Sequence, residues 1–340
     1  MRRKNAYWVL AVLVGMLALC GCGKKAEQVT IIEKNEEINV NIGKMITDVP
    51  ELITNAKPKL NIYSQDITAR MSEYKIFYIA DAHISLCDGR DAELLNKSEA
   101  RNKSFTCEGS APQDTFDRLI KRAGRSNADL VILGGDIIDS ATQASVEHVE
   151  EQLNSLGKPY IYLMGNHDFE YGEEYFSQTA YEVHLPKLDS VHGTKSYQIY
   201  EDEEVIVFAA DDNNNQISDE ALAAFKETVK KDKPIVLALH VPLEPQKGDK
   251  ELLDRCKAEW GEDEYGKSKV TIGINGIYPN ETTNEFLQLV YAPESNVALV
   301  LAGHVHFQYS GYLTDNVKQI IAGAAYEGNA VEVTLKWPER

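Results

Sequence analysis

Leu130-Val131-Ile132-Leu133-Gly134-Gly135-Asp136-Ile137-Ile138-Asp139 is the stretch from which the rest of the chain becomes readable. Its four aliphatic residues in a row, followed by two glycines, read as a short strand covered on both faces. The glycines free the backbone for a sharp turn and for close approach to a charged group, and a carboxylate follows at once. The same grammar recurs four times. Residues 76–80 run into Asp81-Ala82-His83, residues 160–164 into Gly165-Asn166-His167-Asp168, residues 235–239 into His240-Val241-Pro242, and residues 298–302 into Gly303-His304-Val305-His306. Between these runs, residues 114–125, 142–156, 218–231 and 282–291 carry apolar side chains at three- and four-residue spacing, with Ser218 and Thr282 as expected N-caps.

Strands alternating with covering helices give an α/β layered class. In open α/β sheets, sites form beyond the carboxyl ends of the strands, so all five clusters can meet in one crevice. Runs at 309–313, 317–321 and 330–335 read as closing strands, and no repeat or linker splits residues 75–335.

Imidazole nitrogen, carboxylate oxygen and the Asn amide oxygen suit Zn, Mn or Fe. Asp81 and His83 stand two apart, as do His304 and His306, so in extended backbone each pair aims one way. Two ions about 3.5–4 Å apart can polarise a phosphoryl oxygen and generate hydroxide near neutral pH, which makes phosphate-ester hydrolysis the natural reaction. His167, held by Asp168, is the expected proton donor to the leaving group.

Taken together and in this order, the clusters resemble the calcineurin-like metallophosphoesterase family over roughly residues 75–335. The resemblance implies a four-layer αββα sandwich of two mixed sheets, with the strands after His306 in the second sheet. It implies one metal on Asp81, His83, Asp136 and His306, and a second on Asn166, His240 and His304 with Asp136 as bridge. By the same resemblance a metal-bridging hydroxide attacks phosphorus in line, and His167 protonates the leaving group or stabilises the transition state. The motif set shows no departure at a ligand position. The expected substrate is a small phosphomonoester or phosphodiester. Rival readings are a pyrophosphatase of lipid- or sugar-linked diphosphates and a non-catalytic phospho-ligand-binding surface lipoprotein; retention of every ligand and of His167 argues against the second.

Arg2, Arg3 and Lys4 followed by an apolar stretch and Leu19-Cys20-Gly21-Cys22 read as a signal peptide over residues 1–21. The apolar stretch is shorter than the roughly 20 residues of a membrane span. Its ending resembles a bacterial lipobox, which implies a lipid on Cys22 and anchoring at the extracytoplasmic face of the cell membrane; ordinary signal cleavage without lipid is the alternative. Residues 22–74 then form a tether with one or two peripheral strands, ahead of the phosphoesterase domain at 75–335. The formal charge of -18 becomes -21 for a chain starting at Cys22, because Arg2, Arg3 and Lys4 are the only charges before it. Polynucleotides are held chiefly by basic surface, so nucleic acid is an unlikely partner, and no protein partner can be inferred.

The loops at 84–112 and 241–271 are the expected substrate rims, the first with Arg90, Arg101 and Lys103 for a distal phosphate, the second with Trp260 and Tyr265 for ring stacking. Cys87 and Cys107 bracket a polar insertion and could form a disulfide closing it. Asp139 reads equally as a support for a metal ligand or as an N-cap. Residues 211–215 read as a strand-to-helix turn rather than a calcium loop. His148, His184 and His192 read as exposed residues outside the site.

Overall fold

The computed structural model describes residues 38–40, 71–168, 185–193, 195–212, 214–246 and 250–338. The signal segment, Cys22, most of the tether and His184 lie outside them. In chain order the elements are β1 (Ile38–Val40), β2 (Met71–Ile79), α1 (Leu95–Ser104), α2 (Pro112–Arg125), β3 (Leu130–Gly134), α3 (Gln143–Leu156), β4 (Tyr160–Leu163), β5 (Tyr197–Glu201) and β6 (Ile206–Ala210). They continue as α4 (Asp219–Thr228), β7 (Ile235–Ala238), α5 (Glu251–Trp260), α6 (Glu281–Tyr291), β8 (Val297–Ala302), β9 (Tyr309–Tyr312), β10 (Lys318–Ile321) and β11 (Val331–Pro338).

The strands are apolar on both faces because each face meets a different core. In β2, Phe77 and Ile79 join Phe116, Leu119 and Val149 under α2 and α3, while Ile76 and Tyr78 turn the other way, toward Val207, Val236 and Leu299 of a second sheet. On that sheet's far side, Phe208, Leu237 and Val300 meet Phe225 of α4 and Phe286 of α6. The result is helix, sheet, sheet, helix, the four-layer αββα arrangement, with strand orders β1-β11-β2-β3-β4 and β5-β6-β7-β8-β10-β9. Both sheets are mixed. β2, β3 and β4 run parallel beside antiparallel β11, and β6, β7, β8 and β10 run parallel between antiparallel β5 and β9.

Several sequence expectations change here. β9 and β10 join the second sheet, but β11 returns to the first, pairing with β2 from Val331↔Tyr78 to Pro338↔Met71. Val333 and Leu335 thereby enter the central core from the first sheet. α6 is capped by Asn280, whose side chain accepts from the Thr283 N–H, and not by Thr282, which donates to Asp219 instead. Two helices escape the apolar-spacing test. α1 buries only Ser98 of its ten residues, and α5 packs Leu252 and Cys256 under Val305 and Phe307. Cys87 and Cys107 are not joined: the Cys87 thiol donates to the Asp91 carbonyl at 3.0 Å, and Cys107 pairs through its backbone with Ser110. Among the described residues no helix is long and apolar enough to cross a membrane.

Candidate metal centre

The first sheet delivers Asp81 and His83 after β2, Asp136 and Asp139 after β3, and Asn166 and His167 after β4. The second delivers His240 after β7, and His304 and His306 after β8. All seven expected ligands except Asn166 fall into groups whose ligating atoms lie within 4.8 Å of one another: Asp81, His83 and His306; His83, Asp136 and His167; Asp136, His240 and His304.

Backbone conformation makes this convergence possible. Asp81, His83, Asp136, His304 and His306 all have φ between 50° and 71°, a left-handed region few non-glycine residues occupy. Each tight turn is held from outside: the Asp81 N–H donates to the Gly135 carbonyl, the His83 N–H to the Asp136 carbonyl, and the His304 N–H to the Asp81 carboxylate. Gly165 is required by proximity, since a Cβ there would sit 2.3 Å from Asp136 Oδ1 and 2.8 Å from His240 Nε2.

Hydrogen bonds to the outer ring nitrogens turn the inner ones toward each other. His83 Nδ1 lies 3.0 Å from Asp139 Oδ1, and His240 Nδ1 lies 2.9 Å from the Gly134 carbonyl. The inner nitrogens are then close-set: His83 Nε2 lies 3.0 Å from His306 Nε2, and His240 Nε2 lies 3.2 Å from Asp136 Oδ2. Atoms at such distances share a proton or a metal ion. Asn166 adds a separate sign, for its Oδ1 is buried without a hydrogen-bond partner, a costly state that a metal would relieve. The donor set therefore fits metal ions.

The titration directions of His83, His304 and Asp81 point the same way, and that of His240 does not. Burial keeps His83 below its ordinary value and takes His304 to about 3, helped by the facing His240, so both favour the neutral form a metal needs. Burial and the Asp136 charge push Asp81 up to about 8, a sign of negative charge in want of a counterion. Burial opposes charge on His240 as well, but Asp136, Asp81 and Asp212 lift it to about 10, so its Nε2 holds a proton toward Asp136 unless a metal ion takes that place.

Asp168 does not hold His167. It is fully buried, and its carboxylate accepts from the backbone N–H groups of Asp136, Ile137, Ile138 and Gly165 and from the Tyr162 hydroxyl. It ties the turn after β3 to the turn after β4. His167 Nδ1 lies instead 3.0 Å from Asp139 Oδ1. Asp139 is no helix cap either, because Thr142 caps α3. Sequence adjacency favoured Asp168, but the backbone turn aims it inward.

The loops hold other surprises. Arg101 pairs with Asp139, and Phe105 stacks flat on the His83 ring at 4.1 Å. Trp260 is tied by its indole N–H to the Val305 carbonyl and sets its ring edge-on to His306 at 5.2 Å. Tyr326, which no motif marks, places its hydroxyl 3.4 Å from His306 Nδ1. Arg90 pairs with Asp88 and Glu147 at the surface, Lys103 is exposed, and Tyr265 is exposed. His148 meets Asp117, while His192, expected to be exposed, is buried against Asp211. Asp211 and Asp212 also brace the turns before Gly165 and His240, by accepting from the N–H groups of Met164, His240 and Val241.

The sequence model of calcineurin-like phosphoesterases matches residues 74–308. The chain belongs to the calcineurin-like phosphoesterase family. The family is named for phosphoester hydrolysis. A probable cyclic nucleotide phosphodiesterase of Fibrobacter succinogenes is 27% identical over 169 residues, 49% of this chain and 57% of that protein. One of Psychrobacter arcticus is 26% identical over 90 residues, 26% of this chain and 32% of that protein. The chain thus matches little more than half the length of the first relative and a third of the second. Among solved structures, a dimetal phosphatase of Danio rerio aligns at 12% identity and TM-score 0.45, over 75% of this chain and 88% of that one. A calcineurin-like phosphoesterase of Bacillus subtilis aligns at 12% and 0.41, over 80% and 87%.

Proposed function

We propose that this phosphoesterase works with two metal ions, of Mn, Fe or Zn, and cleaves small phosphodiesters, cyclic nucleotides among them. The observation that carries the two-ion reading is the place of Asp136, whose Oδ2 lies 3.2 Å from His240 Nε2 and 3.8 Å from His83 Nε2. One carboxylate faces both donor groups and would bridge them. Asp81, His83 and His306 would complete one site; Asn166, His240 and His304 the other. The bound ions would supply charge stabilisation at phosphorus and an activated water near neutral pH. His167, 18% exposed in its side chain, reaches the centre from one wall, and its Nδ1 is turned to Asp139. Burial opposes its protonation, but Asp136 and Asp139 raise its pKa. It is therefore equipped to carry a proton to a leaving oxygen. The diester preference is supported by the two relatives named as probable cyclic nucleotide phosphodiesterases.

The test is turnover of the chain loaded with Mn, Fe or Zn on bis-p-nitrophenyl phosphate, p-nitrophenyl phosphate and a 3′,5′-cyclic nucleotide, beside His167→Ala. Metal-dependent diester cleavage, lower by about 10²–10⁴-fold in the variant on a poor leaving group, is expected. Monoester cleavage alone would overturn the diester reading. Metal uptake without any ester cleavage would return the diphosphate and binding-protein readings. We also propose, on Leu19-Cys20-Gly21-Cys22, that a lipid on Cys22 holds the enzyme at the outer face of the membrane. Fatty-acid labelling that persists in Cys22→Ala would refute it.

A further inference from the structure

α1 lies in the first long loop, where sequence reading places only a substrate rim. It is fastened to the walls of the crevice: Asn102 donates to the Ser85 carbonyl and to Gln113 Oε1, and the Ser98 and Ser85 hydroxyls meet at 3.1 Å. Arg101 stands in its last turn and Phe105 just beyond its end. Arg101 engages both oxygens of Asp139, from Nε to Oδ2 and from Nη2 to Oδ1 at 2.9 Å. Asp139 has no exposed side-chain surface, and its Oδ1 lies 3.0 Å from both His83 Nδ1 and His167 Nδ1. The Arg101 guanidinium stands 4.7 Å from the Phe105 ring centre, and Phe105 stacks on His83.

From this arrangement we infer that Arg101 is a positioning residue, which fixes the plane of the Asp139 carboxylate so that its Oδ1 aims His167. A carboxylate held by a single contact can rotate about its χ2 torsion. One gripped at both oxygens by a planar guanidinium cannot, and the ring it addresses is held with it. A lysine offers a point charge without the fork. The Nε–Nη2 edge of the guanidinium is thereby committed to Asp139.

The inference rests on the proton-donor reading of His167, and leaving groups separate the two. A p-nitrophenolate departs without help, whereas an alkoxide needs a proton. The experiment compares a p-nitrophenyl diester with a dialkyl-type diester of the same charge, in wild type, His167→Ala, Arg101→Met and Arg101→Lys, with bound metal measured in each. Arg101→Met is expected to lower kcat on the alkyl ester by about 10–100-fold, with KM within about twofold and metal content kept, and to change the p-nitrophenyl rate little. Arg101→Lys should recover only part of the loss. Millimolar methylguanidinium should restore Arg101→Met where methylammonium does not, a result that a misfolded variant could not give. If Arg101→Met lowers both esters equally, or loses metal in proportion to rate, Arg101 serves the metal site or the fold and the inference falls alone. If His167→Ala itself treats the two esters alike, the proton-donor reading falls and takes the inference with it.

Discussion

At Asp168 the sequence and the fold disagree most sharply about a single side chain. Its neighbour His167 suggests a catalytic pair, yet its carboxylate receives four backbone N–H groups and a tyrosine hydroxyl. An amide at that place would turn an –NH2 toward donors. Asp168→Asn is therefore expected to lower stability by about 1–3 kcal/mol in urea unfolding and to weaken metal loading with it. A variant that unfolds like wild type, keeps its metal and loses only turnover would restore the catalytic assignment. The residues that present lone pairs were all legible, because each follows a strand-like run. The residues that aim those lone pairs were not. Asp139 was marked only as one of two equal readings, and Phe105, Arg101 and Tyr326 owe their places to loop paths that carry no periodicity.

Among the elements, strands declared themselves and loop helices did not. Buried parallel strands read as continuous apolar runs, whereas α1 shows almost no apolar face and depends on side-chain hydrogen bonds to its surroundings. α5 ends in Trp260, which the sequence offers as a stacking platform. Its indole N–H is committed to Val305 and its ring to His306. Trp260→Ala is accordingly expected to raise KM for a ringed and a ringless substrate alike, within about twofold of each other, and to lower bound metal through the freed His306. A selective loss of affinity for the ringed substrate would show that the indole face meets substrate after all.

On the scale of the whole molecule, the class and the layering followed from alternation of strands and helices, while the place of β11 did not, since nothing in an octet of alternating apolar and polar residues says which sheet it will close. The two sheets are tied near the site by polar links as well as by the central core. One lies behind the metal ligands, where Asp211 joins His192 to the Met164 N–H. Burial works against a charged His192, but Asp211 lifts it to about 9. A histidine with a folded pKa above its unfolded value of about 6.5 stabilises the fold fully below that value and loses the effect as pH rises through 9. Unfolding free energy should therefore fall by about 1–3 kcal/mol between pH 6.5 and 9, and His192→Gln should flatten that part of the profile. An unchanged slope in the variant would place the titration elsewhere.

The left-handed turns at Asp81, His83, Asp136, His304 and His306 also bear on how such a centre can be copied. Glycine would accept those torsions most readily but brings no ligand atom, whereas Asp and His, with Asn, are the side-chain-bearing residues most often found there. At these positions the chemistry and the main chain narrow the choice to the same few amino acids. Transplanting the seven ligands onto another α/β scaffold would still carry over the side chains and leave behind the twists that aim them. A working graft has to import whole turns together with the carbonyls and carboxylates that receive their N–H groups.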